Sequence, residues 1–215
     1  MALKVNEIFY SIQGESSYAG YPCAFVRMTG CNLRCTYCDT RYAYEEGEEL
    51  ETFEILDRVK SYACPLVEVT GGEPLVQEET PSLILCLLDA GFKVLLETNG
   101  SLDIGLTDPR CIRIVDMKCP SSGEVERNNF ENLRRLTGRD ELKFVLCDRS
   151  DYEYARGILQ LMNQTPARVG HIHFSPVFGE LAPDLLAGWI LEDRLEARLS
   201  LQIHKIIWDP AQRGV

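Results

Sequence analysis

The sequence predicts an α/β protein in which about six parallel strands, connected by helices, form an open or partial barrel. Apolar runs rich in β-branched residues alternate with segments whose apolar residues recur at helical spacing, which is typical of right-handed β-α-β units. The length of 215 residues fits one domain with a sizeable core. No repeat, linker or low-complexity tract divides the chain, so we expect a single domain over residues 1–215.

The amino-terminal half contains four predicted strands and two predicted helices. The strands are expected over residues 4–12, 23–29, 66–70 and 92–97, where apolar and β-branched residues concentrate. Thr52 is expected to cap a helix that runs to about Ala63. Thr80 and Pro81 begin a second helix that Gly91 ends, because proline favours the first turn and glycine the position after the last.

The carboxyl-terminal half continues the alternation with one gap. Strands are expected over residues 112–118, 141–147, 171–175 and 199–208, and helices over residues 128–136, 151–163 and 183–194. No helical periodicity fills residues 101–111, so we expect one shortened crossover there.

Composition and charge exclude several classes of protein. Hydrophobic content of 45% and charged content of 26% are ordinary for a globular domain, and the net charge of −11 argues against a broad nucleic-acid surface. No apolar run approaches the ~18 residues of a membrane span, and the first residues lack the apolar core of a signal peptide. We therefore expect a cytoplasmic protein. Six of its nine cysteines stand singly and are expected to be small buried apolar residues: Cys23, Cys64, Cys86, Cys111, Cys119 and Cys147.

The other three cysteines form the most informative motif of the chain. Cys31, Cys35 and Cys38 have the spacing C-x3-C-x2-C, which is short enough to surround one metal centre. A closed zinc site or a fully protein-ligated cluster needs four ligands, and no fourth cysteine or histidine follows nearby. Three thiolates on a four-iron cluster would leave one iron open to a small molecule. The alternatives are loop cysteines without metal, or zinc with a distant fourth ligand.

Other polar residues gather where predicted strands end. Gly71 and Gly72 follow a buried strand directly, where glycine lets the backbone approach a ligand. Further polar residues stand at or near the carboxyl ends of predicted strands, namely Arg27, Thr29, Thr70, Glu97, Asp116, Lys118, His173, Ser175, Gln202 and His204. Parallel α/β folds bind ligands at that end, so these side chains predict one site.

Two of these features leave alternatives open. Arg27 is a buried cation paired with an anion if its strand face points inward, and a solvent-exposed side chain if the strand is flipped. His171 and His173 alternate on one strand face and are either ligand-binding residues or hydrogen-bonded core histidines.

The motifs together resemble the radical SAM (S-adenosylmethionine) superfamily, and within it the 7-carboxy-7-deazaguanine synthase family. The resemblance rests on the cysteine loop of residues 31–40, on Gly71-Gly72-Glu73-Pro74, and on residues 11–15, 97–100, 118–123 and 202–205 with Arg27 and Pro210. It implies an abbreviated partial (β/α)6-type radical SAM barrel. It also implies conversion of 6-carboxy-5,6,7,8-tetrahydropterin to 7-carboxy-7-deazaguanine with loss of ammonia, in the biosynthesis of queuosine for tRNA modification.

The resemblance also implies the cofactors and the site residues. Cys31, Cys35 and Cys38 would hold a [4Fe–4S] cluster that transfers one electron to SAM, and the resulting 5′-deoxyadenosyl radical would remove hydrogen from C6 of the pterin. Tyr37 and Thr40 would contact SAM and Mg²⁺ respectively, although Thr40 could simply cap a turn beside Asp39. The other implied SAM contacts are Cys38, Asp39, Gly72, Pro120, Ser121, Ser122 and Ser175. The implied substrate contacts are Ile12, Gln13, Gly14, Arg27, Thr70 and Pro210, with Glu15 and His204 as candidates for ring contacts or proton transfer.

Two rival functions are compatible with the cysteine loop. A glycyl-radical activase would act on a partner protein, and an iron–sulfur or zinc sensor would bind metal without cleaving SAM. For the pterin enzyme we expect a small-molecule substrate, a reducing partner such as flavodoxin or ferredoxin, a homodimer, and no direct contact with nucleic acid or membrane.

Overall fold

One continuous sheet organises the chain in the computed structural model, which describes residues 2–164 and 168–215. Its strand order is β3-β1-β2-β4-β5-β6-β7-β8-β9. The strands are β1 (Ala2–Ile12), β2 (Pro22–Met28), β3 (Glu48–Glu51), β4 (Leu66–Gly71), β5 (Lys93–Thr98), β6 (Ile112–Asp116), β7 (Glu141–Leu146), β8 (His171–Pro176) and β9 (Arg198–Leu199). Neighbouring strands are parallel in the part of the sheet with the order β2-β4-β5-β6-β7-β8-β9. β1 and β3 add an antiparallel edge beside β2. The predicted parallel α/β fold is confirmed.

The two faces of the sheet have different chemistry because side chains alternate along each strand. One face packs against the helices through residues such as Val69, Leu96 and Phe144, which belong to the main core. The other face carries a small apolar cluster that includes Phe25 and Leu95. Polar and charged residues occupy the remaining positions of this inner face, and these positions form the candidate site.

Helices with bounds close to those predicted cover the outer face. They are α1 (Thr52–Ser61), α2 (Thr80–Asp89), α3 (Glu131–Arg135), α4 (Arg149–Met162) and α5 (Pro183–Glu192). A further short helix, α6 (His204–Ile207), was not predicted and contributes His204 to the wall of a cavity. Thr52 does not cap α1. Glu51 is the N-cap instead, in a capping box with Glu54. The stretch of residues 101–111 holds only one short 3₁₀ turn, Ile104–Leu106, as expected for a shortened crossover.

The predicted last strand over residues 199–208 is wrong. β9 contains only Arg198 and Leu199, and the chain then turns into α6. Ile206 and Ile207 are exposed, so the apolar alternation that predicted a strand is not buried against a neighbour. The amide of Ile203 donates to Gly14 O at 3.0 Å, and this bond directs the turn across the site.

The six scattered cysteines differ in burial. Cys23, Cys64, Cys111 and Cys119 are buried as expected, but Cys86 is exposed and Cys147 is only partly buried. In the part of the chain that is described, none of the helices has both the length and the apolar character needed to cross a membrane.

Candidate active site

A cavity of about 710 Å³ opens at the carboxyl ends of the parallel strands. It joins the cysteine loop to the polar positions of the inner face. Its wall includes most of the predicted site residues, namely Ile12, Gln13, Gly14, Glu15, Arg27, Cys31, Cys35, Tyr37, Cys38, Asp39, Thr40, Thr70, Gly72, His204 and Pro210. Pro120, Ser121, Ser122 and Ser175 are not part of this wall.

The cysteine loop is held by its own backbone and by two arginines. The amide of Cys38 donates to Cys35 O at 3.2 Å, and the amide of Leu33 donates to Cys31 Sγ at 3.4 Å. The Arg34 guanidinium donates to Cys31 O at 2.8 Å, and that of Arg41 donates to Thr36 O at 2.6 Å. These bonds fix the loop, while none of the three thiols is in a disulfide and all three are partly accessible.

The donor set fits a cluster better than a single ion. Among residues 2–164 and 168–215, no three His, Cys, Asp or Glu side chains converge where one metal ion could be held. A zinc ion needs its thiolates at about 2.3 Å from one centre, whereas a four-iron cluster places each thiolate on a different iron. Burial raises the pKa of Cys35 to about 11, and the cation of Lys118 opposes that rise. Lys118 therefore favours the thiolate form that iron requires.

Gly72 packs directly against the start of the cysteine loop. A Cβ atom at Gly72 would lie 2.1 Å from Gly30 O and 2.8 Å from Cys31 Cβ, so only glycine fits there. The amide of Glu73 donates to Gly30 O at 2.8 Å. The Gly-Gly-Glu-Pro segment thus supports the start of the loop as well as lining the cavity.

Three buried polar atoms near the cavity have no hydrogen-bond partner in the described residues. They are Tyr37 Oη, Asp116 Oδ1 and Ser175 Oγ. Tyr37 and Asp116 belong to the cavity wall, whereas Ser175 does not. A buried polar group without a partner costs about 1–3 kcal/mol, so these atoms fit a site that is completed by a polar ligand such as SAM.

The predicted SAM-binding turn contacts the cysteine loop from behind. Thr36 donates through its amide to Ser122 O at 3.1 Å and through its hydroxyl to Ser121 O at 2.7 Å. Pro120 is exposed. The turn therefore positions the loop, and the structure does not bring its side chains into the cavity.

Arg27 is partly buried and paired, which resolves the alternatives for this residue. Its Nε lies 2.7 Å from Glu7 Oε1, and the Tyr42 hydroxyl donates to the same oxygen at 3.1 Å. Burial opposes the charge of Arg27, but Tyr42 and Glu7 more than compensate and raise its pKa. A permanent cation therefore lines one side of the cavity.

A cluster of carboxyl groups lines the inner face of the sheet. Lys143 Nζ lies 2.5 Å from Glu15 Oε2, contacts Glu97 Oε1, and lies 3.8 Å from Asp116 Oδ2. The side-chain amide of Gln13 donates to Glu68 in the same region. Lys143 and Glu68 were not predicted as site residues. Each is a charged residue in a mostly apolar strand, and the alternation of side chains along a strand assigns such a residue to the polar face of the sheet.

Glu15 and His204 meet at the mouth of this cluster. Glu15 Oε1 accepts from the Gln202 side-chain amide at 2.6 Å. Burial acts to raise the pKa of Glu15, but Lys143 and Gln202 hold it at about 2, so the carboxyl is ionised. A Cβ at Gly14 would lie 2.0 Å from His204 Nδ1, which explains why glycine precedes Glu15.

Thr40 lies at the rim with its hydroxyl donating to Asp39 Oδ1 at 2.8 Å. Asp39 Oδ2 also lies 2.5 Å from Lys205 Nζ. Desolvation acts to raise the pKa of Asp39, but Lys205 and Thr40 lower it to about 2. Thr40 precedes the 3₁₀ turn Arg41–Tyr44, but its side chain makes no capping hydrogen bond to that turn. Its magnesium role remains a prediction.

The two strand histidines lie outside the cavity. His173 is buried with its Nε2 2.8 Å from Glu141 Oε2, and Glu141 accepts from the Ser17 amide at 3.0 Å. His171 is exposed. The core interpretation therefore describes His173, and neither histidine belongs to the candidate site.

Glu68 should make the stability of the fold depend on pH. Burial raises its pKa well above 4.5, and Glu97 and Glu15 raise it further. The folded state therefore keeps a proton that the unfolded state loses as pH rises above 4.5. Over that window the free energy of unfolding should fall with rising pH by up to about 1.4 kcal/mol per unit. Glutamine cannot take up this proton, so in Glu68→Gln the free energy of unfolding should fall less steeply with rising pH.

Urea unfolding of both proteins between pH 5 and pH 9 measures the difference. Glu196→Gln, at an exposed position, should keep the wild-type slope. Equal slopes for wild type and Glu68→Gln would show that Glu68 is ionised in the folded state at neutral pH.

Comparison with known proteins agrees with the geometry of the site. The sequence model of the radical SAM superfamily matches residues 25–116. A 7-carboxy-7-deazaguanine synthase from Chlorobaculum tepidum is 48% identical over 99% of this chain and 97% of the relative. Another from Koribacter versatilis is 44% identical over 99% of this chain and 100% of the relative.

The fold has a close counterpart among solved structures. The crystal structure of QueE from Escherichia coli superposes with a TM-score of 0.74 over 94% of each chain, at 23% sequence identity. That similarity shows the shared fold, and the full-length similarity to the two relatives shows the family. The chain therefore belongs to the 7-carboxy-7-deazaguanine synthase family of the radical SAM superfamily.

Proposed function

We propose that this chain converts 6-carboxy-5,6,7,8-tetrahydropterin to 7-carboxy-7-deazaguanine with release of ammonia, a step of 7-deazapurine and queuosine biosynthesis. The observation that carries the proposal is one cavity that joins the cysteine loop to a wall with both Arg27 and a carboxyl cluster. The substrate has a carboxylate and a pyrimidinone edge rich in N–H donors. Its two ends therefore complement the two parts of the wall.

As a member of the radical SAM superfamily, the chain uses a [4Fe–4S] cluster and SAM. We propose Cys31, Cys35 and Cys38 as the cluster ligands. When bound, the pair supplies one-electron cleavage of SAM and hence a 5′-deoxyadenosyl radical that abstracts hydrogen from the substrate. The groups proposed to contact SAM directly are those of the cavity wall, Tyr37, Asp39 and Gly72.

The remaining predicted SAM residues are proposed to act from behind the wall. Ser121 and Ser122 hold Thr36 through their carbonyl oxygens and so orient the loop, with Pro120 opening the turn. Ser175 offers a buried hydroxyl that no described residue satisfies.

The chain's own groups would orient the pterin. Arg27 would bind the substrate carboxylate through charge-assisted hydrogen bonds, and Glu15 would accept from ring N–H groups because it is ionised. Ile12, Gln13, Gly14, Thr70 and Pro210 would complete the pocket around the ring, since all of them line the cavity. His204 packs on Gly14 beside Glu15, a position suited to a proton-transfer role.

Thr40 is proposed to bind Mg²⁺, with substrate oxygens and water as the other ligands. Thr40→Ala should raise the Mg²⁺ concentration needed for half-maximal activity by about tenfold or more. Thr36→Ala, a threonine of the same loop that bonds to Ser121 O, should keep the wild-type Mg²⁺ response. An unchanged response in Thr40→Ala would remove this residue from the magnesium site.

An anaerobic assay of the cluster-reconstituted protein with SAM, a reductant and the carboxylated pterin tests the function. We expect equal amounts of ammonia and 7-carboxy-7-deazaguanine. SAM cleavage with no pterin turnover but with hydrogen abstraction from a partner protein would favour the activase. A bound cluster without SAM cleavage would favour a sensor.

The partners and the setting of the enzyme are also proposals. A flavodoxin or ferredoxin would supply the electron, and a homodimer is expected, which sedimentation of the purified chain would test. The one continuous sheet supports a single domain over residues 1–215. A cytoplasmic location is expected because the cluster needs a reducing compartment.

A further inference from the structure

Lys143 is a buried cation at the centre of the inner face. It lies on β7, and only 5% of its side chain is exposed. Its Nζ contacts Glu15, from the segment that follows β1, and Glu97, from β5. One ammonium group thus joins two carboxyl groups that arrive from different parts of the barrel.

The surroundings of Lys143 are dominated by negative charge. Besides Glu15 and Glu97, Asp116 on β6 has an oxygen 3.8 Å from Lys143 Nζ. Glu68 on β4 faces the same group. The other charged or titratable groups facing it are Lys118, which follows β6, His204 on α6 and, at the rim, Asp39. A buried lysine is stable only when such partners offset its desolvation, so its charge depends on these carboxylates and theirs on it.

The segment after β1 depends on the same strand. Alternate side chains of this segment reach the inner face: Gln13 contacts Glu68, Glu15 contacts Lys143 and Ser17 contacts Glu141. Glu141 and Lys143 are both on β7, two residues apart. The segment of residues 13–17, which carries proposed substrate residues, is therefore held against β7. Among the described residues, Lys143 is the only cation that forms an ion pair with this segment.

We propose that Lys143 is a positioning residue of the substrate pocket, which holds Glu15 and Glu97 as paired carboxylates facing the ring of the bound pterin. This inference rests on the proposed function, because it assumes that the cavity binds the pterin. Lys143 acts through the two glutamates and needs no contact with the substrate itself.

Removal of the cation should change how pterin binding depends on pH. Against the effect of burial, Lys143 holds the pKa of Glu15 low, whereas burial raises the pKa of Glu97 and Lys143 only opposes that rise. Without Lys143, the two glutamates lie close together in a buried site, and burial together with mutual repulsion raises the pKa values of both from their wild-type levels. In the variant, the two glutamates therefore become protonated at a higher pH than in the wild type, and protonation removes acceptor positions for the N–H groups of the substrate. The pH below which binding weakens should therefore move upward.

The experiment compares full-length, cluster-reconstituted Lys143→Met, Lys143→Arg and wild type by equilibrium binding of 6-carboxy-5,6,7,8-tetrahydropterin between pH 5.5 and pH 9 under anaerobic conditions. In Lys143→Met the midpoint of the low-pH loss of binding should rise by about one pH unit or more, and binding at pH 7 should weaken about tenfold or more. Lys143→Arg should restore most of the wild-type profile because it returns the charge.

Arg113→Met is the matched control. Arg113 also carries a buried cation, with its Nη2 2.5 Å from Asp140 Oδ2, but it does not line the cavity. Its loss should lower stability without moving the pH midpoint of binding. If Lys143→Met fails to fold, Lys143→Arg and Glu97→Gln remain informative, since the inference requires a preserved midpoint in the first and weakened binding in the second.

The outcomes separate this inference from the proposed function. If the wild type does not bind the pterin, the proposed function fails. If the wild type binds but Lys143→Met shows the same pH midpoint, or Arg113→Met shifts it equally, Lys143 has only a structural role and the inference is overturned.

Discussion

Replacement of Cys35 by alanine should abolish binding of the iron–sulfur cluster. Cys35 lies between the other two cysteines, and its thiol faces Lys118, which favours the thiolate. Its loss leaves two thiolates, and the loop has no other cysteine or histidine within residues 31–40 to replace it. After anaerobic reconstitution, the visible absorption of the cluster should be absent and the iron content should fall close to background.

Cys86→Ala is the matched control for this change. Cys86 is exposed on α2 and does not line the cavity. This variant should take up iron and show the same visible spectrum as the wild type. Retention of the cluster spectrum by Cys35→Ala would overturn the assignment of this residue as a ligand, whatever the activity of the variant.

The cysteine loop could be predicted because its information is local. Cys31, Cys35 and Cys38 fall within eight residues, so any fold that forms this loop keeps them near one another. The alternation of strands and helices is local in the same sense, and the structure confirms the parallel sheet. Gly72 was also singled out from the sequence, but its packing on Gly30 O becomes visible only in three dimensions.

The error at the carboxyl terminus shows the limit of periodicity. Residues 199–208 alternate apolar and polar side chains as an edge strand does. Only Arg198 and Leu199 pair with β8, and Ile203 instead donates to Gly14 O. A contact between residues so distant in sequence decides the local structure here, and a single sequence contains no direct record of it.

Glu15, Glu97 and Asp116 were predicted as site residues, but Lys143, which contacts them, was missed for a related reason. Glu15 and Lys143 are 128 positions apart, so no motif contains both. The alternation of Glu141 and Lys143 with apolar residues in β7 does place both charges on the inner face. The alternation does not reveal the partner of Lys143, because an inward-facing lysine can pair either with a bound ligand or with a glutamate of the protein.

Glu73→Gln should destabilise the fold by about 2 to 4 kcal/mol and also weaken the cysteine loop. Glu73 is fully buried, and its two oxygens accept from Leu75 N at 3.0 Å, Thr98 Oγ1 at 2.8 Å and Asn99 N at 2.6 Å. Glutamine has the same shape but only one acceptor oxygen. Its amide nitrogen would face at least one buried donor, so one hydrogen bond would be replaced by a contact between two N–H groups.

The damage should reach the metal site because Asn99 connects the two regions. Its side-chain amide donates to Asn32 Oδ1 at 3.1 Å and lies 3.9 Å from Cys31 Sγ. We therefore expect Glu73→Gln to lower the urea midpoint and to reduce iron uptake on reconstitution. Glu78→Gln, at an exposed position five residues further along, should change neither. A Glu73→Gln protein as stable as wild type would show that the carboxylate is not the group that holds the Gly-Gly-Glu-Pro segment to the end of β5.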